Sequence, residues 1–447
     1  MKKKAPFLPI GLLLLVWLCV AQMLGSMILV IPCLLAFLIY VAWAAAKRFT
    51  LPVLLFFLPW APLLKYAPGT ISFYTIALLL VVVIVLIRKQ LRLSPQFIII
   101  AALLVCVTVF AKLYHGYSIQ NDYVMWVIFL LCIPILSDEI EGYYDFYTVT
   151  IFMALGIIVA ALSAKELIVF SPIARYIGDI VYYKTTRYSG YYGDPNFYAA
   201  HIAAALGGVL ALLVKGTRTS QKGVLVLLTM TLLYCGLLSA SKMFYLTVAV
   251  LLIMFIWQLI FGKKNTSIGW IVLSILVMIT VMVLCLTLFS SLFDLMVERL
   301  SGHEDMDSFT TGRTEVWMNY LRAMSNHIDL LLLGRGFTNV LVGGKGSHNS
   351  IIQCIYQFGL FGTVIFIAWI VCFWKKMLGG TKVKMTSFLL LMLLLVGTFV
   401  PWLALDLLFF DDFFLMQLYA CCGIRWLASM EKADPAKELD VLASKTV

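Results

Sequence analysis

The chain has 447 residues, of which 63% are hydrophobic and only 12% are charged. A soluble domain is closer to half apolar, so this composition excludes an ordinary soluble protein. The net charge of +11 is spread over the connecting loops, so it bears on membrane topology and gives no reason to expect a nucleic-acid partner.

Apolar runs recur along nearly the whole chain, each close to the ~20 residues that a helix needs to cross a bilayer. Because lipid offers the backbone no hydrogen-bond partners, such runs predict helices, and they are too long and unbroken for barrel strands. The expected fold is all-α: a polytopic membrane protein with about 12–14 transmembrane helices and a large extracytoplasmic loop containing amphipathic helices. In chain order the predicted spans are 7–23, 27–45, 50–66, 70–87, 97–113, 122–137, 145–164, 197–214, 223–239, 242–262, 268–293, 349–374, 385–409 and 411–428.

The first apolar run follows Lys2, Lys3 and Lys4 and could be a signal peptide. No clear small-residue cleavage site follows it, so we expect an uncleaved first span. All ten cysteines fall within apolar runs and lack the spacing of metal ligands. They are therefore expected to be packing residues rather than a disulfide framework or a metal site.

Most of the 33 lysines and arginines lie on one side of these spans, in short connectors such as KGTRTSQK (215–222) and GKKNTS (262–267). The positive-inside rule makes that side cytoplasmic. The loops 165–196 and 294–348 then lie outside the cytoplasmic membrane. Long external loops rich in Arg, Tyr, Gly and Asp indicate a functional site.

The first external motif is RYSGYYGDPNFYAAH, from Arg187 to His201. Asp194, Pro195 and Asn196 are typical of a helix start, which explains them by local structure. Arg187 has no such local explanation and is a candidate ligand for an anion. Tyrosine rings in this region are suited to stacking on sugars, namely those of Tyr176, Tyr182, Tyr183, Tyr188, Tyr191 and Tyr192.

Two further motifs each contribute a cation. In LLSASKMFYL, Lys242 is the only charge in a turn between two apolar runs, either as a snorkelling lysine or as a functional external cation. In FTTGRTEVWMNYLRAM, Arg313 opens an amphipathic helix. A cation is unfavourable at a helix N-terminus unless it shares an anion with the free N–H groups, as in phosphate sites. The apolar face of this helix is predicted to consist of Val316, Trp317, Tyr320, Leu321 and Met324.

A glycine-rich stretch, LLLGRGFTNVLVGGKGSHNS, leads to His348 and Asn349 at the start of a span. Arg335 lies between Gly334 and Gly336, either as a solvated loop residue or as another anion ligand. His348 is either a polar residue at a helix start or, beside the external cations, a general base, since imidazole accepts a proton near neutral pH. There is no D-x-D motif and no His/carboxylate cluster. If guanidinium groups neutralise a diphosphate, we expect neither a metal nor another cofactor to be needed.

In this order the motifs resemble the O-antigen ligase and polymerase superfamily, a group of multispanning bacterial membrane glycosyltransferases. The most specific features are T-G-R-x-x-x-W at 311–317 and H-N-x9-G-x-x-G at 348–362. One departure is Ser241-Lys242, where many members carry Ser-Arg. Lysine keeps the positive charge but lacks the planar guanidinium group that binds an anion through two parallel hydrogen bonds.

The resemblance covers roughly 187–370, between N-terminal spans at 1–186 and C-terminal spans with a cytoplasmic tail at 371–447. It implies a donor oligosaccharide on undecaprenyl diphosphate, a glycan acceptor, and transfer at the outer face of the bacterial cytoplasmic membrane. It also implies that Arg187 and Arg313 grip the diphosphate and that the general base is His348. The second-rank diphosphate ligands are Lys242 and Arg335, and the residues expected to order the site are Asp194, Asn196 and Asn349.

Three activities stay open at this point. Polymerisation of O-antigen or capsule repeat units is preferred from a resemblance to capsule-type members, and a chain-length regulator is then a candidate partner. Ligation of finished glycan to lipid A–core would use the same motifs. A lipid-linked glycan flippase is a rival of another class, but it should carry charges deep in several spans, and such charges are almost absent here.

Overall fold

The computed structural model describes residues 6–88, 94–116, 121–140, 145–177, 187–215, 219–261, 312–337, 341–379, 387–406 and 411–432, and the single positions 290, 294, 297, 301 and 310. Helices dominate these residues and no β-strand occurs among them. Seven of the described helices are long and apolar enough to cross a membrane, and six shorter apolar helices accompany them. The prediction of an all-α, multi-pass membrane protein is therefore confirmed.

In chain order the helices are α1 (Phe7–Met23), α2 (Met27–Ala46), α3 (Thr50–Phe57), α4 (Phe73–Arg88), α5 (Pro95–His115), α6 (Asn121–Ile140), α7 (Phe146–Leu167), α8 (Ser171–Ile177), α9 (Pro195–Val214), α10 (Thr219–Leu237), α11 (Lys242–Phe261), α12 (Arg313–Asn326), α13 (Ile328–Leu333), α14 (Ser350–Leu378), α15 (Phe388–Phe399) and α16 (Asp411–Lys432). Every predicted span overlaps one of these helices except 268–293. That span lies outside the described residues apart from position 290.

Helix α9 lies at the centre of the bundle, and all its residues over 198–212 are buried. It packs most closely on α15, where two glycines let the backbones touch. A Cβ on Gly207 would lie 2.6 Å from the carbonyl oxygen of Leu393, and one on Gly397 would lie 2.6 Å from that of Ala203. In a membrane, where lipid is as apolar as the side chains, such close approach is a main source of helix association.

Two predicted spans are helical over only part of their length. Helix α3 passes into a 3₁₀ turn at Leu58–Trp60, and α15 passes into another at Val400–Ala404. Each turn contains a proline, Pro59 or Pro401. Because proline has no N–H and its ring clashes with the preceding helical turn, it ends an α-helix at this point. The second turn leads the chain to Asp406, at the edge of the site described below.

Helix α14 is broken at Gly359, whose φ of 65° and ψ of −177° are essentially restricted to glycine. At the break, backbone carbonyls accept hydrogen bonds from the segment that follows α13. The N–H of Arg335 donates to Tyr356 at 2.9 Å, and the N–H of Gly336 donates to Gln357 at 2.8 Å. The break therefore serves as a docking point for the 334–336 segment, which gives the glycine motif after His348 a structural reason.

Helix α12 begins at Arg313, as predicted. Val316, Tyr320 and Met324 are buried against α13 and α14. The prediction that Leu321 shares this face is wrong, since 47% of it is exposed. A spacing of four keeps Val316, Tyr320 and Met324 nearly in line, whereas Leu321 lies about 100° further round the helix than Tyr320.

Candidate functional site

A cavity of about 250 Å³ opens at the end of the bundle where α9, α11 and α12 begin. Its lining brings together three of the predicted cations, Arg187, Lys242 and Arg313, with the predicted ordering residue Asn196. The other lining residues are Met243, Leu246, Thr247, Thr310, Trp317, Val400, Leu403 and Ala404. Segments that are far apart in the chain thus share one site.

The cavity is electropositive for two reasons. Three cationic side chains line it, and no carboxylate from the described part of the chain does. In addition, Lys242 and Arg313 belong to the first turns of α11 and α12, so two helix N-termini meet here beside Asn196 of α9. The free N–H groups of a helix N-terminus carry partial positive charge. Together these features suit an anion with several oxygens, such as a diphosphate.

Hydrogen bonds fix the guanidinium group of Arg187. Its Nε–H donates to the carbonyl of Ser239 at 3.1 Å, and an Nη–H donates to Oδ1 of Asn196 at 3.1 Å. The hydroxyl of Ser241 donates to the same Asn196 oxygen at 2.9 Å. One amide oxygen therefore ties the Arg187 loop, the start of α9 and the turn before Lys242 together.

Two of the predicted ordering residues are helix N-caps. The carboxylate of Asp194 accepts the N–H of Asn196 at 2.6 Å and starts α9. The side-chain oxygen of Asn349 accepts the N–H groups of Ile351 at 2.9 Å and Ile352 at 3.2 Å and starts α14. Local structure explains both residues, and their effect on the site is to place the helices that carry it.

His348 does not line the cavity but lies in the adjacent segment 345–349, here called the His348 turn. Its backbone φ is 48°, a conformation that costs a non-glycine residue about 1–3 kcal/mol. Asp406 holds it there, since Oδ2 accepts the N–H of His348 at 2.9 Å and Oδ1 accepts that of Asn349 at 3.2 Å. Oδ1 also accepts the hydroxyl of Ser347. Charge-assisted bonds of this kind are about twice as strong as neutral ones.

Sequence reasoning did not find Asp406. It lies in the predicted span 385–409 and is 58 residues from His348 in the chain, so no local motif connects the two. The available signal was an acidic residue near the end of an apolar run, since charges in or near membrane spans mark functional positions.

Two segments that line the cavity also contact the His348 turn or the residue that follows it. Trp317 lines the cavity and its Nε1–H donates to the carbonyl of Ser347 at 2.9 Å. On the other side, the Val400–Ala404 turn lines the cavity, and the next residue, Leu405, accepts the hydroxyl of Ser350 at 2.7 Å. The imidazole-bearing turn is therefore next to the cationic cavity.

The remaining lining of the cavity is largely apolar. It comes from Met243 and Leu246 of α11 and from Val400 and Leu403 opposite. Leu246 is 53% exposed and Leu403 is 48% exposed, so the apolar side of the cavity is open at the protein surface. A cavity with a cationic half and an open apolar half suits an amphiphile with an anionic head group.

Arg335 does not line this cavity. Its segment packs between α5 and α14, so close that a Cβ on Gly336 would lie 2.6 Å from the carbonyl oxygen of Thr108 and 2.7 Å from the side chain of Lys112. There Arg335 interacts electrostatically with His115 at the end of α5. Arg335 therefore lies apart from the cationic cavity.

The described tyrosines of the first external motif pack into the bundle. Tyr191 is buried and Tyr188 donates its hydroxyl to a backbone carbonyl of α7. Tyr192 stacks on His201, with ring centroids 4.7 Å apart. The prediction that Tyr191 stacks on a sugar is wrong, because its ring is buried in the protein; for the partly buried Tyr188 and Tyr192 it stays a prediction. The side chains outside the described residues are those of Tyr176, Tyr182 and Tyr183.

An ionisable pair lies inside the bundle, which corrects the expectation that such charges are almost absent. Nε2 of His201 is 2.5 Å from Oδ1 of Asp412, and their side chains are only 2% and 13% exposed. Nδ1 of His201 is 2.8 Å from the carbonyl oxygen of Phe197. The adjacent Asp411 accepts the hydroxyl of Thr75 at 2.8 Å. The two aspartates were missed because they begin an apolar run, where they read as loop residues.

No protein-family model matches the chain, and no curated protein matches it either. Among the described residues, no three His, Cys, Asp or Glu side chains are grouped so that they could hold a metal ion. The function is therefore inferred from the cationic cavity and the His348 turn.

Proposed function

We propose that the protein is a glycosyltransferase that moves a glycan from undecaprenyl diphosphate to an acceptor hydroxyl at the outer face of the bacterial cytoplasmic membrane. The observation that carries this proposal is the convergence of Arg187, Lys242 and Arg313 on one cavity beside the His348 turn. The amphiphilic donor matches the amphiphilic cavity, with the diphosphate among the cations and the prenyl chain along the apolar half.

The reaction needs an anion clamp and a base. The acceptor oxygen attacks the anomeric carbon of the donor sugar, and the bond from that carbon to the diphosphate oxygen breaks. His348 takes the hydroxyl proton, and the polyprenyl diphosphate leaves with the bonding electron pair. Arg187 and Arg313 stabilise the negative charge that grows on the leaving group, with Lys242 as a further cation.

We further propose that the acceptor is itself a lipid-linked glycan, so that repeat units of an O-antigen or capsular polysaccharide are polymerised. Ligation to lipid A–core is the alternative with the same bond changes. The glycan of a deletion strain separates the two. Accumulated single repeat units would show a polymerase, whereas full-length polymer left on its carrier would show a ligase.

A flippase for lipid-linked glycans is the second candidate, and the buried His201–Asp412 pair is the observation in its favour. Ionisable residues inside a membrane bundle often line transport routes. Reconstituted vesicles distinguish the two functions. A flippase moves a labelled lipid-linked glycan across the bilayer unchanged, whereas the proposed enzyme forms a new glycosidic bond.

The deciding experiment measures binding and transfer separately in variants of the purified, reconstituted protein. His348→Ala should abolish glycan transfer and keep the wild-type affinity for farnesyl diphosphate, a short prenyl diphosphate. Arg187→Ala and Arg313→Ala should each weaken that affinity roughly tenfold to a hundredfold, since a hydrogen bond to a charged group contributes ~1.5–3 kcal/mol. Lysine at either position should restore it only partly, because the planar fork is lost.

Matched controls lie on or next to α12. Arg322 and His327 are exposed and outside the cavity, so Arg322→Ala and His327→Ala should leave both binding and transfer unchanged. Wild-type transfer by His348→Ala would refute the general-base role. Wild-type affinity in both arginine variants would refute the diphosphate site.

A further inference from the structure

One face of α12 connects the cationic cavity to the His348 turn. Arg313, Trp317 and Tyr320 follow at intervals of four and three residues, so they form a stripe along about two helical turns. Arg313 and Trp317 line the cavity. Tyr320 lies beyond them, and its hydroxyl donates to the carbonyl of Lys345 at 2.8 Å.

The peptide groups of the His348 turn are held from two sides. The α12 stripe donates to carbonyls, from Trp317 to Ser347 at 2.9 Å and from Tyr320 to Lys345 at 2.8 Å. Asp406 accepts the backbone N–H groups on the other side. A non-glycine residue keeps a left-handed backbone only where its surroundings over-determine it, and these contacts provide that constraint.

Burial protects the hydrogen bonds that α12 makes to the His348 turn. Tyr320 is only 2% exposed, so its bond to Lys345 is shielded from competing water. Its oxygen also lies 3.4 Å from the N–H of Val342, which donates to it. The indole of Trp317 is half-buried between the cavity and the turn. The helix that carries the cation Arg313 thus also fixes the backbone on either side of Gly346.

We propose that Trp317 and Tyr320 are positioning residues, which set the place of the His348 turn relative to the diphosphate cavity through their shared helix. This inference rests on the function proposed above. It predicts that the two residues affect the rate of the chemical step more than the affinity for the donor. Loss of a residue that only stabilised the fold would not lower kcat selectively in this way.

The test removes single hydrogen-bond donors and keeps the rings, with Trp317→Phe and Tyr320→Phe. Each should lower kcat about fivefold, the rate factor that corresponds to one net hydrogen bond. The dissociation constant for farnesyl diphosphate should stay at the wild-type value in Tyr320→Phe, whose ring lies outside the cavity lining, and should change less than kcat in Trp317→Phe. An unchanged kcat, or a loss of affinity as large as the loss of kcat, would overturn the proposal.

Matched controls separate positioning from general damage to the fold. Tyr40 is a buried tyrosine whose hydroxyl also donates to a backbone carbonyl at 2.8 Å, that of Phe7. Trp374 is a half-buried tryptophan whose Nε1–H donates to Gln417, away from the cavity. Tyr40→Phe and Trp374→Phe should keep the wild-type kcat. An equal loss of kcat in these controls would overturn the positioning role.

A measurement that needs no glycan transfer makes the outcome independent of the proposed function. Diethyl pyrocarbonate modifies accessible imidazoles, and mass spectrometry of the His348 peptide gives the rate. This rate should change severalfold in Trp317→Phe and Tyr320→Phe and stay constant in the two controls. Constant rates in all four variants would overturn the inference. Changed rates in a protein that transfers no glycan would refute the enzyme and leave the positioning intact.

Discussion

Replacing Asp406 by asparagine tests how the His348 turn is held. The carboxylate accepts three donors, namely the hydroxyl of Ser347 and the N–H groups of His348 and Asn349. An asparagine keeps one acceptor oxygen and turns an amide N–H₂ towards one of these donors. At least one charge-assisted bond is then lost, and the others become neutral.

The magnitude follows from the bonds present. A hydrogen bond to a charged group contributes ~1.5–3 kcal/mol and a neutral one ~0.5–1.5 kcal/mol. Loss of one bond and weakening of the others therefore destabilises the turn by about 3 kcal/mol, which corresponds to roughly a hundredfold in an equilibrium constant. The φ of 48° at His348 adds to this tendency, because its strain is relieved when the turn opens.

Amide hydrogen exchange of the peptide containing His348 and Asn349 measures this opening without reference to any activity. In Asp406→Asn the two amides should exchange roughly a hundredfold faster than in the wild type. Glycan transfer should fall with them if His348 is the base.

Asp145→Asn is the matched control for this experiment. Asp145 is an exposed carboxylate that accepts the N–H of Tyr147 at 3.0 Å at the start of α7, and asparagine caps a helix equally well. This variant should leave exchange at His348 unchanged. Wild-type exchange at His348 and Asn349 in a folded Asp406→Asn protein would refute the account of the turn.

Three further predictions address the rest of the site. Arg335→Ala should keep the wild-type affinity for farnesyl diphosphate, because Arg335 lies outside the cavity; a loss equal to that in Arg313→Ala would place it back in the site. Gly359→Ala should lower the free energy of unfolding by ~3 kcal/mol or more, since φ is 65° and a Cβ would lie 2.3 Å from the carbonyl oxygen of Leu332. Gly223→Ala, whose Cβ would meet nothing within 4 Å, is its control, and equal melting temperatures for the two variants would contradict the clash. Burial raises the pKa of Tyr320 to about 12 from 10, so its contribution to stability is complete below pH 10 and is lost towards pH 12. Thermal unfolding should therefore show the wild type losing more stability over this range than Tyr320→Phe, and parallel curves would contradict it.

Local signals in the sequence predicted several features that the structure shows. The apolar runs predicted the helices, because a backbone in lipid must satisfy its own hydrogen bonds. Asp194 and Asn349 cap helices where their positions before apolar runs indicated. Arg313 begins α12, where a cation is unfavourable without an anion, and it lines a cavity with other cations.

Features that depend on contacts between distant segments were not accessible from the sequence. Asp406 meets His348 only because a proline-containing 3₁₀ turn ends α15 early. The break at Gly359 draws the Arg335 segment onto α5 and α14 and away from the cavity. Tyr191 reads as an external aromatic in the sequence, yet it is buried. Periodicity and composition carry no information on which neighbour a loop side chain finds.

The sequence by itself determined that this is a helical, multi-pass membrane protein with cations gathered in a few non-apolar segments. Only the tertiary structure decided which of those cations share a cavity, and that Arg187, Lys242 and Arg313 do while Arg335 does not. The physical reason is the range of the interactions. Transfer of apolar residues to lipid and capping of helix ends depend on residues that are close together in the chain. The local sequence is therefore enough to predict them. The site depends on how closely the helices approach each other, and that is set by backbone contacts such as those at Gly207 and Gly397, far apart in the chain.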